Sequence, residues 1–268
     1  MQPPYLFSRY RPGQGDGISV DLDVEASLVT LAVHGTWTRR LRGDVHNAVR
    51  KCLSEHPATL VLDLRGLRDP HAESVTTWMS CRHQADALTP RVQVVVCAAE
   101  HSPVARRLGR TGVASSAPVL PSLAQARAAA AEWLPLTGRF QVHLEPELVS
   151  SRVARGVVTD ACTAWRMPEL CDRGRLVISE LVANAVEHAG TPVTMLLSRR
   201  GCGLHLAVRD GDPRLPQLCD LARRPGEPLT VRGRGLHTVH AVATLWGSMP
   251  SGSGKVVWAT VRPWRRTR

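Results

Sequence analysis

Three polar side chains recur at four-residue intervals in the segment RLVISELVANAVEHA: Glu180, Asn184 and His188. On a helix that spacing stacks them in one stripe, beside an apolar face of Leu181, Val182, Ala185 and Val186. Taken alone, the stripe reads as the solvated edge of an amphipathic helix. The residues downstream add the chemistry. Asp210 closes a strand-like run and is followed by Gly211, and Gly233-Arg234-Gly235 stands at the start of a helical stretch. Backbone amides at a helix start, with no Cβ in the way, suit a phosphate.

These segments, in this order, resemble a known family. SELVANAVEHA is similar to the N box, VRDGDP to the first glycine box and RGRGLHTVHAVATLWG to the second glycine box of the GHKL (Bergerat) ATP-binding fold, which gyrase, heat-shock chaperones and histidine kinases share. The spacing is most similar to that of the anti-sigma-factor serine kinases, and the resemblance covers about Gly138 to Pro263. It implies ATP and Mg2+ as cofactors, with Asn184 coordinating Mg2+ beside the phosphates and Glu180 as the general base. It further implies that Asp210 accepts from the exocyclic amine of adenine. Gly211, Gly233, Arg234, Gly235 and Leu236 would complete nucleotide binding, with Arg234 either a charge contact or a plain surface arginine. Three positions depart from the pattern: Asp212 and Arg214 stand where the first glycine box carries glycines, and Val256 stands where the family has a threonine. His188 reads as a structural residue at a helix end. Lys255 reads either as approaching a phosphate or as a solvated lysine.

The elements that must position these residues form an α+β pattern. RFQVHLE predicts a strand, a helix follows from about Pro146 to Trp165, and a second runs from Pro168 to Ala189. TPVTMLLSRR and GLHLAVRD predict a hairpin turned by the glycines at 201 and 203. Residues 212–229 carry Pro213, Pro216, Pro225 and Pro228 and read as irregular, apart from a turn of helix at QLCDLA. A helix from Gly235 to Leu245 and a last strand, KVVWATVRP, close the domain at 138–268. The grouping of helices and strands, with the resemblance, implies a two-layer sandwich on an antiparallel sheet.

The preceding part of the chain alternates differently. Residues 1–16 hold three of the nineteen prolines and read as an irregular leader. From 17 to 135 the order is strand, strand, helix, strand, helix, strand, helix, helix, which is an α/β pattern. TLVLDL and RVQVVVCA are continuous apolar runs suited to strands covered on both faces. That order, and the segment LVLDLRGLRDPHAESV, resemble a STAS domain, the fold of anti-sigma-factor antagonists. In that resemblance His71 replaces an aspartate and Ala72 replaces the phosphoacceptor serine. The polar cluster with Glu73 and Ser74 reads as a helix cap.

Composition bounds the rest. The 268 residues suffice for two cores. Aromatic residues make up only 4%, so Val, Leu and Ala must fill those cores. No long apolar run and no signal-peptide pattern occurs, and the seven scattered cysteines suit a reducing compartment, so a cytoplasmic location without a membrane is expected. The formal charge is +11, with 15 basic against 12 acidic residues in 1–135 and 19 against 11 after that. The excess is arginine, with few aromatics between to stack bases, so no direct nucleic-acid binding is expected.

The reading that results is a fused regulator, in which the ATP domain transfers the γ-phosphoryl group to a serine of a separate antagonist. The resemblance implies an anti-sigma-factor antagonist or a sigma factor as partner, and allows a homodimer. A binding module whose nucleotide gates partner choice without phosphate transfer is the alternative. Glu180 and Asn184 favour the kinase; Asp212 and Val256 favour the binder.

Overall fold

The computed structural model describes residues 5–6, 17–23, 25–88, 90–110, 118–132, 138–216 and 235–263. The chain is mixed α/β with two sheets and divides into two compact units, one of residues 8–136 and one of residues 137–268 together with 1–7. The first element, β1 (Tyr5–Leu6), therefore belongs to the second unit. Among the described residues no helix is long and apolar enough to cross a membrane.

The first unit opens on a hairpin of β2 (Gly17–Asp23) and β3 (Leu28–Thr36), with Ile18 opposite Val33 and Leu22 opposite Val29. The Asp23 carboxylate accepts the Ala26 N–H at 3.0 Å and closes the turn. Helix α1 (Arg39–Glu55) starts at Thr38, whose hydroxyl accepts from the Leu41 N–H. There follow β4 (Thr59–Asp63), β5 (Leu67–Arg68), α2 (Val75–Asp86), β6 (Gln93–Cys97), α3 (Pro103–Arg110), β7 (Val119–Leu120) and α4 (Leu123–Glu132). The sheet order is β2-β3-β4-β6-β7, parallel throughout except between β2 and β3. Every residue of β4 is buried, as a strand covered on both faces requires. Ala126 and Ala130 of α4 pack on Val61, Val95 and Cys97, where small side chains let the helix lie close to the sheet. Two strands of two residues each, β5 and β7, were not expected, because two residues carry no period to read.

The start of α2 differs from the expectation in its chemistry. The cap is Asp69, not the polar cluster after Pro70: its two carboxylate oxygens accept the N–H groups of Glu73 and Ser74 at 3.0 and 2.8 Å. Ser74 is turned inward, and its hydroxyl accepts from Trp78 Nε1 at 2.9 Å. Ala72 is buried in a left-handed conformation, φ 53°.

In the second unit β8 (Arg139–Leu144) precedes α5 (Ser150–Ala164), a 3-10 turn at Pro168–Leu170 and α6 (Cys171–His188). Then come β9 (Val193–Arg200), β10 (Gly203–Asp210), α7 (Gly235–Val242), β11 (Leu245–Ser251) and β12 (Gly254–Val261). The sheet order is β1-β11-β12-β10-β9-β8; β1 runs parallel to β11 and all other pairs are antiparallel. Alternate residues turn one face to the helices: Val193, Met195 and Leu197 of β9, Leu204, Leu206 and Val208 of β10, and Val257, Ala259 and Val261 of β12. Against them pack Ala154, Val158 and Ala161 of α5, Val177, Ile178, Leu181, Val182 and Ala185 of α6, and Val239 of α7. Val186 packs at the margin of the same core.

Two expectations change here. The last helix ends at Val242, and the next residues form β11, which Gly247 and Pro250 disguise as a loop in the sequence. The leader contains Tyr5–Leu6, which lie beside Gly247 and Ser248 as a parallel strand. The turn of helix expected at QLCDLA and the connection at 135–138 lie wholly or mostly outside the described residues.

Candidate functional site

Helix α6 buries its apolar stripe in the core, and this rotation fixes where Glu180 and Asn184 stand. Both side chains converge on the first residue of α7. A Cβ placed on Gly235 would lie 2.8 Å from Glu180 Oε2 and 3.2 Å from both Asn184 Nδ2 and Asn184 Oδ1. Only a glycine lets the start of α7 approach the two so closely. Asn184 Nδ2 is buried and has no hydrogen-bond partner among the described residues. A buried amide group left in this way is costly unless something else completes it. Burial raises the pKa of Glu180, and the charge of Glu187 on the same helix adds to the rise. The third member of the stripe, His188, is the last residue of α6 and is exposed.

Asp210 ends β10 on the helix-facing side of the sheet, since it continues the alternation of Leu206 and Val208, and α6 packs against this strand. It is buried. Opposite it in register stands Lys255 of β12, whose Nζ donates to Asp210 Oδ1 at 2.9 Å. The pair is deeply placed, with side-chain exposures of 8% for Lys255 and 2% for Asp210. Lys255 Nζ also donates to the Asp212 carbonyl at 3.2 Å and lies 3.7 Å from Asp212 Oδ2. Burial pushes the Asp210 pKa up, and the hydrogen bonds from Lys255 and the Asp212 N–H pull against it. Asp212 is held down to about 2 by hydrogen bonds from Arg214, whose Nε lies 3.0 Å from its carboxylate. Asp212 and Arg214 thus pair with each other.

Gly211 donates its N–H to Thr191 Oγ1 at 2.8 Å. A Cβ on Gly254 would run into the Asp210 carbonyl and the Gly211 backbone, so the first residue of β12 must be glycine for Lys255 to reach its partner. Leu236, the second residue of α7, packs on the core. Gly233 and Arg234 lie outside the described residues. Val256 points to the sheet face away from the helices, because the helix-facing residues of β12 are Lys255, Val257, Ala259 and Val261. The position that faces the site is therefore 255. Sequence reasoning left Lys255 on the surface or at a phosphate. The signal that places it was the two-residue period of GKVVWATV.

Residues 142–261 match the family model described as the histidine kinase-like ATPase domain. The match runs from β8 to the end of β12 and so takes in Glu180, Asn184, Asp210, Gly235 and Lys255. No curated protein matches the chain. Among solved structures, an anti-sigma factor antagonist from Mycobacterium paratuberculosis is similar at a TM-score of 0.37 and 19% identity, over 43% of this chain and 94% of that chain. Among the described residues no group of three or more His, Cys, Asp or Glu is arranged to hold a metal ion. The unpartnered atom of Asn184 is the amide nitrogen, a donor that suits a phosphate oxygen, whereas a hard cation would take the amide oxygen of the same side chain.

Proposed function

We propose that the ATPase domain binds Mg-ATP and transfers the γ-phosphoryl group to a serine hydroxyl of a separate antagonist protein. The observation that carries this reading is the meeting of Glu180 and Asn184 at Gly235, the first residue of α7. An amide-rich helix start faced by a carboxylate and a carboxamide has the parts phosphoryl transfer requires. Glu180 takes the proton of the attacking hydroxyl as its oxygen bonds to the γ-phosphorus and the bond to ADP breaks. Its raised pKa strengthens it as a base once it is ionised. Asn184 would hold Mg2+ through its amide oxygen, and the ion would neutralise charge on the phosphates. Asp210 would accept from the exocyclic amine of adenine, with Gly211, Gly233, Arg234, Gly235 and Leu236 around the nucleotide. The two-layer sandwich of the GHKL type is the fold this reading assigns to residues 138–268.

For residues 17–135 we infer a STAS-like regulator, supported by the strand order β2-β3-β4-β6-β7 and by the helix that starts beside Ala72. Position 72 has no hydroxyl, so phosphorylation cannot switch it there. Its role would be to shield in cis the surface on which an external antagonist or sigma factor docks, in the cytoplasm, with a homodimer as the working form. Partner binding should tighten when this unit is removed.

A second reading has support of its own. The buried Lys255 on Asp210 and the Asp212–Arg214 pair favour a nucleotide-gated binder that moves no phosphate. Isothermal titration with Mg-ATP, followed by radiolabelled phosphotransfer to antagonist proteins from the same genome, separates the two. Binding without transfer to any antagonist would leave the gated binder; no binding at all would remove both.

A further inference from the structure

The interior face of β10 and β12 is aliphatic until its last register position, where Val208 and Val257 give way to Asp210 and Lys255. Two charges at this depth are poor stabilisers, because apolar side chains would fill the same space at less cost in desolvation. Their geometry has a different use. The hydrogen bonds from Lys255 Nζ and from the Asp212 N–H, both 2.9 Å long, land on the same oxygen, Asp210 Oδ1. Neither reaches Oδ2. The ammonium is itself fixed by the Asp212 carbonyl at 3.2 Å, so it is not free to swing towards a phosphate.

We propose that Lys255 is a positioning residue that sets the base preference of the nucleotide site, by holding Asp210 ionised with Oδ1 occupied and Oδ2 offered as a pure acceptor. This rests on the nucleotide reading above. A pure acceptor selects a 6-amino purine, whose exocyclic N–H groups donate, over a 6-oxo purine, whose oxygen repels it. Without the ammonium, burial is opposed by the Asp212 N–H alone and favours the protonated form of Asp210 more strongly. The carboxyl then becomes a donor, accepts the amine poorly and meets the 6-oxo group well. The other charged group that acts on Asp210 does not replace Lys255. Asp212 in the following loop is itself anionic and engaged by Arg214.

The test is isothermal titration of the full chain and of Lys255→Met and Lys255→Arg with Mg-ATP and Mg-ITP, at about pH 6 and about pH 8. Wild type should prefer ATP at both pH values. Relative to it, Lys255→Met should lose about tenfold in ATP affinity at the lower pH, recover part of it at the higher pH, and show a smaller ATP-to-ITP ratio. Lys255→Arg should keep the wild-type ratio. If Lys255→Met does not fold, the carboxyl carbon-13 signal of Asp210 in labelled wild type serves instead: it should respond to ATP and not to pH between about 5.5 and 8. A titration in that range, or a Lys255→Met protein with an unchanged ratio and a flat pH response, overturns the proposal while leaving ATP binding in place. A wild type that binds neither nucleotide overturns the nucleotide reading and this proposal together.

Discussion

Gly235 and Glu180 stand so close that a methyl on the glycine would lie 2.8 Å from Glu180 Oε2. The nearest obstacle is the end of a flexible side chain, so Gly235→Ala should fold and push the Glu180 carboxylate aside. Phosphotransfer should fall about tenfold or more, since small misplacements of a reacting group are costly. Thermal melting should change little by comparison. A variant with full activity would place the reaction away from the start of α7.

Glu180→Gln should retain Mg-ATP binding and lose phosphotransfer by about a hundredfold, as removal of a general base does. The base form is the ionised one, and burial raises its pKa, so the wild-type rate should climb with pH through a range above that of a free carboxylate. The residual rate of Glu180→Gln should lack that climb. Rates measured against pH on both proteins check the assignment.

Asp210→Asn should weaken ATP binding by about 1.5–3 kcal/mol, because a charge-assisted acceptor is lost. It should also destabilise the fold by about 3 kcal/mol, because Lys255 is left buried with a poorer partner. Adding Lys255→Met to Asp210→Asn should restore most of the stability and none of the affinity. Urea melts and nucleotide titration of the three proteins separate the two effects.

Removal of residues 1–16 should strip β1 from β11. The loss of a few main-chain hydrogen bonds should cost about 1–2 kcal/mol, and the bared strand should promote association. Melting temperature and sedimentation velocity report the two outcomes.

The parts of this fold with a repeating pattern were open to reading. The stripe of α6 followed from its spacing, because that helix buries one face in the core, and β9 and β10 were legible from the glycine turn between two apolar runs. The runs of β4 and β6 were legible for their continuous apolar character. The strand β11 was not, since LWGSMPS has no clean period and becomes a strand only through its register with β12. Nor were β1, β5 and β7, which are two residues long and exist through their partners. At the site, the helix pair Glu180 and Asn184 was visible, but the approach of Gly235 to them depends on how α7 packs on α6. The Asp210–Lys255 pair needed the cross-strand register, which joins positions far apart in sequence.

The pairing of Tyr5 with Gly247 sets an order of events during synthesis. Position 5 leaves the ribosome with its partner strand still unmade, and the intervening unit has time to fold before β11 emerges. Closing so long a loop is entropically costly, and non-local pairs of this kind form late. That edge of the second sheet can therefore be completed only after position 247 has emerged. A nascent chain halted before position 247 would carry the full stripe of α6 and an open sheet edge at once, which makes that stage the one at which a chaperone has most to protect.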